Sequence, residues 1–290
     1  MANFLRASVS WYVGQRWDTN RVTANWWTVP RLKAYIERAI SPQNGRGVIG
    51  ALEALPEWSS AGRAVSVGAG SGGKERAILK AGLVDKFDLF ELSEARAEQA
   101  RQGASDDNLA DRMQVHVADA FAVDSKNTYD LVYWDHALHH MMDVDRAMEW
   151  SIDALKPGGL LVINDYVGPT RLQWTKKEID FARQFLTDNL DYVQADPSDL
   201  RYKNPLNRLA MMMRDPSEAP QSDLILQSFK DRCGEEMRLI GGTMVHLLAP
   251  YVARFDDQHD PIFDSLIDWD QQALKSGLSH FAFAAWRKPD

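Results

Sequence analysis

From residue 63 onwards the chain alternates short apolar runs with stretches of helical period. Ala64-Val65-Ser66-Val67 is too short for a helix and reads as a buried strand running into Gly68, Gly70, Gly72 and Gly73. Glu75 to Leu83 reads as a helix, Phe87 to Glu91 as a second strand, and the stretch through Ala95, Ala97 and Ala100 as the next helix. Met113 to Val117 is a third strand, and Leu131 to Trp134, reached through Tyr129 and Asp130, is a fourth. Met141 to Leu155 has helical period and stops at Lys156-Pro157-Gly158-Gly159, after which Leu160 to Ile163 makes a fifth strand. Strands separated by single helices return in the same direction, so this pattern predicts βαβ units and a parallel sheet.

The flanks have a different texture. Up to about residue 60 the chain is helical and strand-poor: Val29-Pro30 opens a helix, Leu32, Tyr35, Ile36 and Ile40 recur on one face, and residues 41–45 break it. Trp11, Trp17, Trp26 and Trp27 crowd this region, as expected of an aromatic cluster packing an N-terminal helix onto the body. Beyond residue 171, Thr175 to Asn189 reads as a helix. Residues 191–232, with Pro197, Pro205, Pro216 and Pro220, read as an insertion holding short helices at Leu206 to Met213 and Leu224 to Phe229. Met237 to Ile240 and Phe281 to Trp286 are the last strands, with a helix from Pro261 to Ser276 between them. The expected fold is α/β: a doubly wound, mostly parallel seven-stranded sheet with an N-terminal helical lid and a helical insertion before the last two strands. The corresponding units are a lid at 1–62, a cofactor-binding core at 63–170, an insertion over the substrate at 171–232 and a closing segment at 233–290.

Composition narrows the partners. The 33 basic against 41 acidic residues give a net charge of −8, which disfavours non-specific attraction to nucleic acid or an anionic membrane and points to a small-molecule substrate. Cys233 is the only cysteine, so no intrachain disulfide forms. The first residues lack the apolar stretch of a secretory signal, and no apolar run approaches the roughly 18 residues of a membrane span. The cytoplasm is the expected location; a homo-oligomer is compatible with all of this.

The glycine loop fits two templates. Gly68, Gly70 and Gly72 give G-x-G-x-G, the adenosylmethionine form; Gly68, Gly70 and Gly73 give G-x-G-x-x-G, the fingerprint of a nicotinamide-dependent oxidoreductase. Glu91, at the end of the second strand, is placed to accept from both ribose hydroxyls in either class. Three features favour the first form. Asp119 closes the third strand, where a carboxylate can accept from an adenine amino group while Phe121 covers the base. The fourth strand ends in Trp134-Asp135-His136. The next helix runs out in Leu155-Lys156-Pro157-Gly158-Gly159-Leu160. No Tyr-x-x-x-Lys or similar hydride-transfer constellation follows the fourth strand.

In this order of glycine loop, ribose acid, adenine-side Asp and Leu-Lys-Pro-Gly-Gly strand, residues 60–168 resemble the class I S-adenosylmethionine-dependent methyltransferase superfamily. The resemblance implies a cofactor, S-adenosyl-L-methionine, held by Gly68, Ala69, Gly70, Gly72, Glu91, Leu92, Asp119, Ala120, Phe121, Trp134 and Asp135. Ala137-Leu138-His139-His140, residues 164–174, Gly241-Gly242-Thr243 and the last strand resemble a subgroup associated with glycan and natural-product biosynthesis. One position departs from the pattern. Ser66 stands where many relatives carry an acid just before the glycines, and Glu75 is the residue expected to replace it.

In an open α/β sheet, ligands bind beyond the carboxyl ends of the strands. The residues after strands four and five therefore carry the candidate chemistry. Methyl transfer is an in-line displacement in which positioning does most of the work. A base matters when a hydroxyl or amine must lose a proton, which suits histidine. The candidates are His139 or His140, with His136 beside them, oriented by Asp165 or Asp135. Tyr166, Arg171, Trp174 and Trp17 would bind the substrate. Oxygen is the expected methyl acceptor, nitrogen the next, and a non-catalytic cofactor-binding scaffold is the remaining alternative. If residues 136–140 were one helix, His136, His139 and His140 at i, i+3 and i+4 would share a face and invite a metal; no metal is expected, because metal-dependent methyltransferases generally use oxygen ligands.

Overall fold

A computed structural model describes residues 25–55, 61–200, 208–209, 212–213 and 215–290. Among them seven strands form one sheet: β1 (Ala61–Val67), β2 (Val84–Phe90), β3 (Met113–His116), β4 (Tyr129–Asp135), β5 (Leu155–Tyr166), β6 (Arg238–Gly241) and β7 (Phe281–Arg287). They lie in the order β3-β2-β1-β4-β5-β7-β6. All pairings from β3 to β5 are parallel, and β7 runs antiparallel to both of its neighbours. The helices are α1 (Pro30–Ile40), α2 (Gly47–Glu53), α3 (Gly73–Lys80), α4 (Glu94–Asp106), α5 (Val144–Ala154), α6 (Lys176–Asp188), α7 (Leu190–Val193), α8 (Ile225–Cys233), α9 (Thr243–Val252) and α10 (Ile262–Lys275).

Strand period 2 explains why both faces of the sheet are covered. Ala64, Leu131, Tyr133, Leu160 and Val162 belong to one apolar core with Leu32, Ile36, Ile78, Leu79, Phe185 and Leu248 from the helices. The alternate residues Val65, Val67, Val132, Trp134, Leu161 and Ile163 belong to a second core with Val144, Met148, Ile225 and Phe229. β1 sits beside β4, so winding reverses between them, and the crevice at their carboxyl ends is where such a fold takes a ligand.

Three local expectations are corrected. The Lys156-Pro157-Gly158-Gly159 segment, expected to separate the helix from a strand at Leu160–Ile163, is itself part of β5, which begins at Leu155 and takes up the segment with a register shift against β4 between Tyr129 and Leu131. The helix expected from Met141 starts at Val144, where Asp143 accepts from the Arg146 N–H at 3.0 Å, while Leu138–His140 is a single 3₁₀ turn. α9 was not foreseen. Met244, Val245, Leu247, Leu248, Ala249 and Val252 are all buried, so the helix shows little polar face to betray its period, and Pro250 lies inside it. Most of the expected helix Leu206 to Met213 lies outside the described residues, as do Trp11 and Trp17.

The two ends of the chain are tied together. Arg238 of β6 donates to the Ile40 carbonyl at 2.6 Å and to that of Ala39, fixing the end of α1. Asp270 of α10 is fully buried and caps α9: it accepts from Gly242 N at 2.8 Å, Met244 N at 2.7 Å and the Tyr35 hydroxyl at 2.8 Å. No described helix is long and apolar enough to cross a membrane.

Candidate active site

The glycine loop discriminates between its two templates by backbone geometry. Gly68, Gly70 and Gly72 have φ of +67°, +57° and +67°, a region that favours glycine, whereas Gly73 has an ordinary φ and begins α3. A Cβ on Gly72 would lie 2.9 Å from Leu89 Cδ2; one on Gly73 would meet only Arg76, at 3.9 Å. Glycine is thus required at the G-x-G-x-G positions and not at the third dinucleotide position. Gly72→Ala is expected to cost about 1–3 kcal/mol through strain and overpacking. Gly73→Ala, in a helix, is expected to be neutral or stabilising by up to about 1 kcal/mol. Denaturant melts of the two variants check the contrast.

Glu91 follows β2 and is almost wholly buried. Its Oε2 accepts from Gly70 N and its Oε1 from Ser93 N, each at 2.8 Å, so it braces the loop. Burial pushes its carboxyl up despite those donors. A Cβ on Gly70 would meet nothing within 4 Å, so the backbone is open beside this carboxylate. Ala69 lies between the glycines, and Leu92 is half-buried next to Glu91. Beyond the end of the neighbouring strand β3, Asp119 accepts from Phe121 N at 3.0 Å, Ala120 is buried, and Phe121 stands edge-on to Trp150 at 5.5 Å. The open glycine backbone and the carboxylates that end β2 and β3 have the chemistry to take the hydroxyls and amino group of an adenosine.

At the other end of the loop Ser66 donates to Glu75 Oε1 at 2.7 Å. Glu75 is buried, which pushes its carboxyl up, and its carboxylate stands against the strand position where Ser66 departs from the superfamily pattern. Asp135 receives Lys74 Nζ at 2.7 Å, Asn164 Nδ2 at 2.9 Å and the Tyr133 hydroxyl. Burial alone would raise the Asp135 carboxyl, but the Lys74 ammonium holds it below its usual range. Lys74, directly after the glycines, was not among the residues singled out from sequence. Among the described residues the buried Asn164 Oδ1 has no hydrogen-bond partner.

Ala137 joins this cradle to the histidines, since a Cβ on Gly68 would come within 3.1 Å of the Ala137 Cβ. The three histidines do not share a helical face. His136 has φ +54°, and its ring packs on Trp26 at 5.6 Å and Phe281 at 5.5 Å. Burial and the Lys74 charge push it down to about 4, leaving it neutral at physiological pH. His139 is buried with Nδ1 2.5 Å from Asp165 Oδ1. Asp165 is wholly enclosed and also accepts from the N–H groups of Ala137 (3.0 Å), Leu138 (2.7 Å) and Tyr166 (2.7 Å). Burial would raise this carboxyl, yet His139 and those donors hold it at about 2. Burial would lower His139, yet Asp165 raises it. His140 stacks on His139 at 4.0 Å between centroids, donates from Nδ1 to the Ser217 carbonyl at 3.1 Å, and is pushed down by burial and by the His139 charge. Among the described residues no three His, Cys, Asp or Glu side chains converge as a metal-ligand set.

Two assigned side chains face elsewhere. Trp134, taken as a cofactor contact, points into the second core and donates from Nε1 to Ser151 Oγ at 2.8 Å, because strand alternation sends it under α5. Arg171, taken as a substrate ligand, is buried with Nη1 donating to the Pro216 and Glu218 carbonyls at 2.5 and 3.1 Å, so it holds the 215–219 segment in place. Tyr166 and Trp174 do lie beside the histidine turn: the Tyr166 ring is 5.9 Å from His139, and both rings approach His246, at 5.5 and 6.0 Å. Sequence reasoning missed His246, His280 and Glu178, which meet behind Tyr166 from three distant elements. The one local signal is Glu178 as the last residue of a Thr-x-x-Glu capping box.

The strand ends of this doubly wound sheet thus carry an open glycine loop braced by Glu91 and, beside it, a buried pair of His139 and Asp165. Residues 65–163 match the family described as "Methyltransferase domain", so this segment of the chain is a methyltransferase domain of the S-adenosylmethionine-using kind. In fold the chain is similar to the cyclase SpnF, at 16% identity over 97% of both chains with a TM-score of 0.53. It is also similar to geranyl diphosphate C-methyltransferase from Streptomyces coelicolor A3(2), at 14% identity over 97% of both chains with a TM-score of 0.52. That structure contains Mg2+, geranyl diphosphate and S-adenosyl-L-homocysteine.

Proposed function

We propose that this protein methylates a small-molecule acceptor, at oxygen first and nitrogen next, with His139 as general base and Asp165 as the group that orients it. The observation that carries the proposal is the 2.5 Å contact between His139 Nδ1 and Asp165 Oδ1, on a turn packed against the glycine loop. An ionised carboxylate only accepts, so the ring hydrogen sits on Nδ1 and the lone pair on Nε2. Among the described residues no protein group bonds that Nε2, and it is the atom that would take the acceptor's proton.

When bound, the cofactor supplies an electrophilic methyl group on a sulfonium. Gly68 to Gly72, Glu91, Asp119 and Phe121 would hold its adenosine, and Glu75, Lys74 and Asp135 lie towards its amino-acid end. Tyr166 and Trp174 would wall the acceptor and exclude water, which competes as a nucleophile. The chain's acidic balance supports a small molecule over nucleic acid as partner.

Incubation with S-adenosylmethionine and a panel of hydroxyl- and amine-bearing acceptors, read by mass spectrometry, tests the activity. A methylated product supports the proposal; a folded, cofactor-binding protein that methylates none of them counts against it. Calorimetry with S-adenosylhomocysteine tests the cradle separately. Glu91→Ala removes two charge-assisted hydrogen bonds to backbone and is expected to weaken binding about 100-fold; unchanged affinity would move the site elsewhere.

A further inference from the structure

Two buried polar atoms call for a partner, and each calls for the opposite kind. Asn164, on β5, is 5% exposed, and Trp26, in the 3₁₀ turn Trp26–Thr28 before α1, is 4% exposed. Among the described residues neither Asn164 Oδ1 nor Trp26 Nε1 makes a hydrogen bond. The Asn164 amide is oriented by its other end. Ionised Asp135 only accepts, so Nδ2 is the atom 2.9 Å from Asp135 Oδ1 and the oxygen is the atom left over. A buried carbonyl with no donor, or a buried N–H with no acceptor, forfeits its hydration without return, and folded chains keep few of either.

Both atoms belong to one constellation. Lys74 Nζ donates to the same Asp135 oxygen at 2.7 Å, and His136 Nε2 is 3.6 Å from it. The Asn164 oxygen shares its carbon with the nitrogen bonded there, so it stands at that ion pair as well. Trp26 is one imidazole away: its ring packs on His136 at 5.6 Å and on Phe281 at 5.3 Å. Lys74 is the second residue of α3, directly after the glycine loop.

The charges that meet at Asp135 Oδ1 are one carboxylate and one ammonium, since His136 is neutral at physiological pH. One anion, one cation, a spare acceptor and a spare donor complement a zwitterion: an ammonium for the amide oxygen and a carboxylate for the indole N–H.

We propose that Asn164 and Trp26 bind the amino-acid end of the cofactor, Asn164 Oδ1 accepting from its ammonium and Trp26 Nε1–H donating to its carboxylate. This rests on the adenosine cradle proposed above, and not on the identity of the acceptor or the base. It makes the turn before α1 part of the cofactor site.

Trp26→Phe removes the N–H and keeps a ring to pack on His136 and Phe281, so it is expected to fold. Calorimetry on the full-length protein compares S-adenosylhomocysteine with 5′-methylthioadenosine, which lacks the amino-acid end. Trp26→Phe and Asn164→Ala are each expected to weaken S-adenosylhomocysteine about 10-fold and to leave methylthioadenosine within about twofold of wild type. Equal losses for the two ligands, or none, overturn the assignment.

Asn164 also holds Asp135, so the pairing is checked from the ligand side. An S-adenosylhomocysteine analogue without its amino group is expected to bind Asn164→Ala as well as it binds wild type, and still to lose about 10-fold on Trp26→Phe. The analogue without its carboxylate is expected to show the reverse. A pattern that does not reverse overturns the pairing. In ¹⁵N-labelled protein, the Trp26 indole resonance, assigned by its absence in Trp26→Phe, is expected to move at least threefold further with S-adenosylhomocysteine than with methylthioadenosine; equal shifts count against it. Glu91→Ala, which unbraces the glycine loop, is expected to weaken both ligands, so failure of the cradle is distinguishable from failure here.

Discussion

His139→Gln is expected to lower methyl transfer by about 100- to 10 000-fold while leaving S-adenosylhomocysteine affinity within about twofold of wild type, since a positioned general base contributes on that scale and His139 lies beside the cradle without bracing it. The imidazole must be neutral to take a proton. Asp165 raises its pKa above the ordinary 6.5, so kcat/KM should climb with pH through a midpoint above 6.5. Asp165→Asn removes that charge and should move the midpoint down. Initial rates across pH for the three proteins check this. A His139→Gln enzyme with wild-type turnover would leave proton removal to another group or make it unnecessary.

The second large effect is on stability. Asp165→Ala is expected to cost about 3–5 kcal/mol, the range for breaking a buried, hydrogen-bonded charge pair by removing one partner. The same carboxylate accepts from the Ala137, Leu138 and Tyr166 N–H groups, so its loss leaves the histidine turn with unsatisfied donors as well as an unpaired ring. The pH dependence has a definite sign. Asp165 is held at about 2 in the folded chain against about 3.9 unfolded, so its contribution is complete above about 4 and is lost as pH falls towards about 2. His139, with its pKa raised, contributes below about 6.5 and loses that contribution as pH rises through its folded value. The two shifts describe one interaction and count once. Denaturant midpoints between pH 2 and 8 should therefore show a steeper acid loss for wild type than for Asp165→Ala.

Fold similarity to a cyclase and to a C-methyltransferase shows why the dyad, and not the sheet, carries the assignment of chemistry. The strand ends bring Asp135 and Asn164 side by side in register, and the loops beyond them decide what reacts.

The residue pattern determined the sheet, because strand and helix periodicity and turn chemistry act within a few residues. Ala64 to Val67 alternates between the two cores, and Gly68, Gly70 and Gly72 take positive φ where the loop needs them. It also singled out Glu91, Asp119, His139 and Asp165 as candidates, because ligands of open α/β sheets bind beyond the carboxyl ends of the strands, where these residues stand. Tertiary structure alone decided the pairings. Asp165 reaches His139 across 26 residues of chain, His280 reaches His246 across 34 and Glu178 across 102, distances over which no local period carries information. It likewise sent Trp134 into the core and Arg171 onto backbone carbonyls, because each side chain followed the space and the unpaired acceptors that distant segments left beside it.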